Sequence, residues 1–436
     1  MMMRLVFAAL VAFALPAQAE IPIQAVKSPG GITAWLVEDH GIPFTALEIR
    51  VRGGTSLDPV DQRGVVNLMT ALIEEGAGDL DAQGFANARD ALAAQFRFEA
   101  GMDGIGISAQ FLTENRDEAM DLLLLALTEP RFDPDAVERV RGQVLANIRS
   151  NMKDPDTIAA RQFNRMAFGA HPYGSSGDGT EESVAGLSRA DILAAFKGTL
   201  SRDRLYVAAT GDITAQELGL LLDKLLGNLP AKGLPAPKRA DWALNGGVTV
   251  VDFPSPQSLV YFGHQGIKRD DPDFFAAFIL NEILGGGRFS ARLMTEVRDK
   301  RGLTYGIGTY LAPQDYAEMV LGQFSSANGT TAEAIAIVKA EWARIASEGV
   351  TEAELAATKT YLTGSYPLRF DGNARIARIL VGMQTEGLPI DYAQSRNALI
   401  EAVTSSDVAR VAKRLLNPDA LHFVVVGQPE GLQTNP

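Results

Sequence analysis

The sequence predicts an α+β protein of two homologous domains, each a mainly antiparallel sheet packed with helices. Three observations carry that prediction: strand-like alternation that switches to helical spacing, a helix-turn-strand unit that occurs twice in register, and a proline-rich stretch between the copies. The 436 residues, 46% hydrophobic and 21% charged, have globular composition and are enough for two cores.

Alternation in "ITAWLVED" and "TALEIRVRGG" predicts two strands, after which "GVVNLMTALIEEG", Gly64 to Gly76, takes helical spacing. "FRFEAGMDGIGISAQFL" reads as a strand pair, and helices are expected over 114–127 and 135–151. Helices packed on an antiparallel-leaning sheet make the α+β layer pattern. Later, "LSRADILAAFKGTLSRDRLYVAATGD" and "VTSSDVARVAKRLLNPDALHFVVVGQ" align without a gap, matching Ser188 to Thr404, Asp191 to Asp407, Lys197 to Lys413, Leu205 to Leu421 and Gly211 to Gly427. In each copy a hydroxyl residue precedes an acid at the spacing of an N-terminal capping box. Between the copies, the prolines and glycines of "GNLPAKGLPAPKRADWALNGG" mark a linker. The expected division is a domain at 20–228, a linker at 229–246 and a domain at 247–436.

A formal charge of -13 repels phosphate backbones and anionic headgroups, so nucleic acid is excluded as a partner. At the start, "MMMRLVFAALVAFALPAQAE" places Arg4 before an apolar run, then a small-residue site at Ala17-Gln18-Ala19. That is the pattern of a secretory signal over residues 1–19, cleaved before Glu20. No later segment approaches the roughly 20 apolar residues a membrane span needs. The expectation is an exported protein without a membrane span, periplasmic in a Gram-negative host. With no cysteine, the chain needs no disulfides and has no thiol nucleophile.

This layout resembles the pitrilysin-like zinc metallopeptidases, the family of mitochondrial processing peptidase and the core proteins of the respiratory bc1 complex, over essentially the whole chain after residue 19. In active members a strand pair leads into a helix reading "GLAHFLEHMLFKGT", with the zinc residues in the order His-x-x-Glu-His. Residues four apart share a helical face, so both imidazoles reach one Zn²⁺ while the glutamate activates its water. A glutamate from a later helix completes the ligands. Here "GVVNLMTA" lies over "GLAHFLEH", which puts Asn67 and Ala71 at the histidine positions and Thr70 at the base. Asn147, in "QVLANIRSNMKDPD", falls where the distal ligand should be. None of the four suits its role, so the resemblance implies no catalytic zinc in this chain. His40, His171, His264 and His422 are scattered, with no pair at ligand spacing. The serines of "GSSGDG" lack a histidine or lysine partner at a recognisable spacing.

The second half keeps more. "NEILGGGRFSARLMTEVRDKRGLTYGIGTYL" resembles the family's C-domain stretch, a glycine-containing turn followed by a helix "LxxxLREKRGLAYSV". Arg298 and Tyr305 match the arginine and tyrosine that active members contribute from their C-terminal half. Those enzymes close like a clam, and the resemblance implies a half-shell of that kind here. It also implies that the tyrosine hydroxyl donates to the oxyanion while the arginine holds a substrate carbonyl or stabilises the tyrosine. The residues alone allow a plainer reading, in which Arg298 is a helix-end cation and Tyr305 a strand aromatic. Gly285, Gly286 and Gly287 read as a turn connecting helices, with substrate binding as the second reading.

Some pitrilysin-like peptidases divide the site between two chains. The resemblance therefore implies the non-zinc-binding subunit of a heterodimeric zinc metallopeptidase that hydrolyses peptides. It would hold no cofactor of its own, take a zinc-bearing paralogue as partner, and supply Arg298 and Tyr305 to that partner's site. Peptides would lie along an exposed strand edge through main-chain hydrogen bonds. The alternatives are a catalytically inert scaffold or peptide-binding protein of the cell envelope, like the bc1 core proteins, and a self-sufficient enzyme with a different site.

Overall fold

Strands β1 (Gln24–Lys27), β2 (Thr33–Glu38), β3 (Phe44–Arg52), β6 (Gln95–Ala100), β7 (Gly104–Leu112) and β8 (Leu205–Gly211) form the first sheet of the computed structural model, which describes residues 21–435. A two-stranded ribbon, β4 (Gly76–Ala77) and β5 (Leu80–Asp81), stands apart. The second sheet comprises β9 (Gly247–Asp252), β10 (Gln257–Gln265), β11 (Ile307–Pro313), β12 (Glu318–Ala327) and β13 (His422–Gly427). The signal reading over residues 1–19 lies outside the described residues.

Sheet order shows one topology written twice. The first sheet runs β1-β2-β8-β3-β7-β6 and the second β11-β12-β10-β13-β9. In each, the last strand of the half pairs parallel on one side and antiparallel on the other: β8 with β2 and β3, and β13 with β9 and β10. The helices before those strands, Arg189–Thr199 and Ser405–Leu415, both begin in a full capping box, Ser188 with Asp191 and Thr404 with Asp407. The aligned sequence segments thus fold alike, down to their caps.

The first half also contains α1 (Val65–Ala71), α2 (Ala82–Ala91), α3 (Arg116–Thr128), α4 (Pro134–Asn151) and α5 (Pro155–Phe168), with further helices at Glu181–Gly186 and Ala215–Leu226. The helix expected over Gly64 to Gly76 ends at Ala71. Beyond it the N–H groups of Leu72, Ile73 and Glu75 bond three residues back, and Gly76 enters β4 at φ 116°. Leu72 and Ile73 are fully buried, so the apolar spacing persists through turns that are no longer helical. At the other end, Asp58 accepts from the N–H groups of Gly64 and Val66 at 2.8 and 3.0 Å and stands 3.6 Å from Arg63. Gly64 is left-handed, and a Cβ there would come within 2.5 Å of the Asp178 carbonyl oxygen.

The two domains are interlocked. Helix α5 belongs to the first half but lays Ala159, Phe163 and Ala167 on Leu259, Tyr261, Leu321 and Val424 of the second sheet. Its counterpart in the repeat, the helix Asn373–Thr385, lays Leu380, Val381 and Met383 against Val37 and Ala208 of the first sheet. Each sheet is covered on one face by its own helices and on the other by a helix of its neighbour. The stretch 229–246 runs irregularly between the halves, tied by Ala240 N–H to the Tyr316 carbonyl and Ala243 N–H to the Ala167 carbonyl.

A polar knot closes the junction. The Tyr173 hydroxyl donates to Asp103, 2.6 Å away, and accepts from the Tyr316 N–H at 3.1 Å. Arg52 pairs with Asp315 at 2.9 Å and also bonds the Thr385 carbonyl. Burial pushes the Asp103 carboxyl above its ordinary value near 3.8, opposed by the Tyr173 hydroxyl, and the nearby Asp315 adds to the rise. A carboxyl whose pKa rises on folding contributes stability that is full below the ordinary value and is lost as pH climbs through the folded value. Thermal melts should therefore show wild type losing stability relative to Asp103→Asn as pH rises from 3.8 towards neutrality. A difference independent of pH would mean that Asp103 titrates alike in the folded and unfolded chains.

Candidate half-site and vestigial zinc positions

The first-half positions come together without zinc chemistry. Asn67, Thr70 and Ala71 line a cleft of about 410 Å³ between α1 and β6, beside Arg50, Phe98 and Glu99. The Thr70 hydroxyl is spent on the Val66 carbonyl at 2.8 Å, Asn67 is half-buried and Ala71 exposed. Asn147 sits exposed on α4 and is not among the residues lining that cleft. An amide, a bonded hydroxyl and a methyl group do not fit Zn²⁺, which takes thiolate, imidazole or carboxylate. Among the described residues no three His, Cys, Asp or Glu side chains converge as metal ligands.

The histidines are occupied individually. His40 faces Asp212 at 2.6 Å, the His171 ring bonds the Lys238 carbonyl, His264 accepts from the Trp342 indole at 3.1 Å, and His422 meets Thr249 at 2.9 Å. Ser176 bonds Arg161 and Asp178, with no histidine in reach.

Beside the cleft, β6 is an edge strand paired only with β7. The Gly101 N–H bonds the Gly104 carbonyl, so alternation turns Arg97 and Glu99 towards β7 and points the backbone of Phe96, Phe98 and Ala100 away. None of those three N–H groups has a partner among the described residues. The equivalent edge, β11, is sealed. Its Thr309 N–H donates to the Gly285 carbonyl at 2.8 Å, its Thr309 carbonyl accepts from the Asn281 amide at 3.1 Å, and Pro313 has no donor.

Arg298 and Tyr305 are built differently from the expected helix. Residues Met294–Asp299 form a π-helical turn, a rare wide geometry often found at functional sites. Gly302, at φ 64°, ends it. Thr304 then folds the chain tightly: its hydroxyl donates to the Gly306 carbonyl at 2.8 Å and accepts from the Gly306 N–H at 3.2 Å. Tyr305 is held at the tip, 93% exposed and outside any strand. The Arg298 guanidinium lies 6.0 Å from the Tyr305 ring centroid and 5.1 Å from that of Phe289, and pairs with Asp299 at 2.9 Å. Phe289, 71% exposed, carried no signal in sequence, since nothing in its residue type separates a surface aromatic from a core one.

The three glycines join the helix Phe274–Leu284 to the helical turn that bears Arg298. Gly285 and Gly287 line a cleft of about 1110 Å³ together with Tyr305, whereas Gly286 is turned against Glu282 and does not line it. A Cβ on Gly285 would come within 2.4 Å of the Thr309 hydroxyl, so the close approach that seals β11 requires glycine there.

A twice-written α+β half, a short helix without zinc ligands and a neighbouring Arg298 and Tyr305 together make up a fold of the pitrilysin-like kind. Residues 34–181 match the family described as Insulinase (Peptidase family M16), and residues 186–362 match the Peptidase M16 inactive domain. The chain belongs to the M16 peptidase family. It is 26% identical over 390 residues to a non-peptidase homolog, YmxG, of Helicobacter pylori, covering 89% of this chain and 90% of that one. A probable mitochondrial-processing peptidase subunit beta of Schizosaccharomyces pombe is 26% identical, over 72% of this chain and 71% of its own. Among solved structures, an M16 inactive domain from Pseudomonas fluorescens superposes with a TM-score of 0.88 at 27% identity, covering 95% of this chain and 99% of that one. A protease from Helicobacter pylori shares the fold at a TM-score of 0.84 and 16% identity, with 93% and 99% covered. The replaced zinc positions accord with two of these matches, the M16 inactive domain and the relative named a non-peptidase homolog. No helix among the described residues is long and apolar enough to cross a membrane.

Proposed function

We propose that this chain is the non-zinc-binding subunit of a heterodimeric zinc metallopeptidase of the periplasm, and that Arg298 and Tyr305 complete the active site of a zinc-bearing M16 partner. The observation that carries the reading is the opposite fate of the two half-sites. The zinc positions hold Asn67, Thr70 and Ala71, whereas Arg298 and Tyr305 stand paired, with Tyr305 93% exposed at the tip of a purpose-shaped turn. A tyrosine in that position adds nothing to this chain's own core.

In the assembled site, the Tyr305 hydroxyl donates to the oxyanion as charge develops on the scissile carbonyl, and Arg298 holds a substrate carbonyl or stabilises the tyrosine. Zn²⁺ in the partner would supply the activated water. The open edge of β6 offers Phe96, Phe98 and Ala100 backbone groups to an extended peptide. Export rests on the signal pattern of residues 1–19, with domains at 20–228 and 247–436 about the linker 229–246. The test is an affinity pull-down of the tagged mature chain from its native periplasm. A stoichiometric M16 relative carrying His-x-x-Glu-His is expected; the chain alone, or with unrelated envelope proteins, would instead favour the inert scaffold.

A further inference from the structure

Among the helices that cover the second sheet on the face away from α5, three arginines gather without a carboxylate to hold. Arg396 lies on the helix Tyr392–Ala402, Arg369 ends the short turn Pro367–Arg369, and Arg288 follows the helix Phe274–Leu284. None of the three forms a salt bridge among the described residues, whereas their neighbours do: Arg292 holds Glu354 at 2.7 Å, Arg269 holds Glu386 at 2.8 Å and Arg414 holds Asp271 at 2.7 Å. In a chain with 53 acidic residues against 40 basic ones, three adjacent arginines left over require a reason.

Aromatic rings hold the guanidinium groups while leaving donors free. Arg396, only 5% exposed, stacks on Tyr366 at 4.2 Å and reaches the Leu362 carbonyl and the Asn397 amide oxygen, at 3.2 and 3.3 Å, through Nη1 alone. Arg288 stands 5.1 Å from the Tyr361 ring centroid and donates to the Thr358 hydroxyl at 2.6 Å, and its buried Nε has no partner. Buried donors of a charged group are costly to leave unmatched, and a bound anion would match them. Arg369 is exposed at the mouth, so the group is open to solvent. One carboxylate stands among them, Glu282, itself without a salt bridge among the described residues; burial raises it above its ordinary value, opposed by Arg288, Arg369 and Arg396. Three positive charges against one leave a local excess of about two, and guanidinium forks suit the oxygens of carboxylate and phosphate alike. A carboxylate would cancel half of that excess, whereas a phosphate group, carrying about −1.5 to −2 near neutral pH, cancels nearly all of it.

We propose that Arg288, Arg369 and Arg396 form a binding site for a phosphate group, free or as the end of a small monoester, with Glu282 limiting how tightly it is held. The site uses neither Arg298 nor Tyr305 and needs no partner chain. The experiment is isothermal titration calorimetry on the mature full-length chain, in phosphate-free buffer of low ionic strength, with inorganic phosphate, glycerol 3-phosphate and acetate. Phosphate should bind about tenfold or more tightly than acetate, as the larger charge on the same forks gives. Arg369→Ala should weaken phosphate by about three- to tenfold while the melting temperature without phosphate holds, because the side chain is exposed and unpaired. Glu282→Gln should tighten phosphate by about five- to tenfold, since a like charge beside the anion is removed. A gain of affinity cannot come from a damaged fold. Binding of both phosphates supports a monoester end as the ligand, and binding of the inorganic ion alone supports the free ion. No heat with either phosphate at millimolar concentration, acetate bound as tightly as phosphate, unchanged affinity in Arg369→Ala, or no gain in Glu282→Gln would overturn the site. None of these results bears on whether a zinc-bearing partner is recovered, so the two readings fail separately.

Discussion

Replacing Tyr305 by phenylalanine should lower turnover by the assembled pair about 10²-fold, the loss expected for one oxyanion donor, with little change in KM. The ring, its exposure and its contact with Arg298 survive the change; only the hydroxyl is lost. Because the side chain is 93% exposed, the variant should also match wild type in stability and in partner recovery. Steady-state rates on the purified pair, set beside the melting curve of the single chain, check both halves of this prediction. Unchanged turnover would remove Tyr305 from the chemistry and leave its exposure to be explained by docking.

The second large effect is structural. Phe163→Ala should destabilise the chain by about 3–5 kcal/mol, the cost of emptying a large aromatic from a close-packed core. Phe163 is fully buried on α5, edge-on to Tyr261 at 5.3 Å and tilted on Trp242 at 6.1 Å. Those three side chains come from the helix of one half, the sheet of the other and the stretch between them, so the cavity would open at the interlock itself. Denaturant midpoints measure the loss. A single transition shifted to lower denaturant with unchanged slope is expected, whereas two separated transitions would show the halves unfolding independently.

Local rules made much of this molecule legible in sequence. The repeat was visible because capping, apolar spacing and the closing glycine are all short-range signals, and both capping boxes form as the residues require. The zinc positions could be read as empty because metal ligation depends on residue type at fixed helical spacing, and neither Asn67, Thr70 nor Ala71 supplies it. What sequence did not reveal depends on contacts between distant segments. That α5 covers the other domain's sheet cannot be read from its periodicity, which fixes an apolar face but not its partner. The early end of α1 was hidden because Leu72 and Ile73 continue the apolar pattern after the hydrogen bonding has changed. The sealing of β11 by Gly285 depends on a contact between distant segments, and neither the π-helical turn under Arg298 nor the exposure of Tyr305 is encoded in residue spacing.

The proposed function divides the two half-sites between two chains, and reconstitution tests that most directly. The purified mature chain, its pulled-down M16 partner and their mixture would be assayed on one quenched fluorescent peptide, with and without a zinc chelator. The account predicts hydrolysis by the mixture only, abolished by the chelator. Chelator-resistant hydrolysis by this chain alone would contradict it.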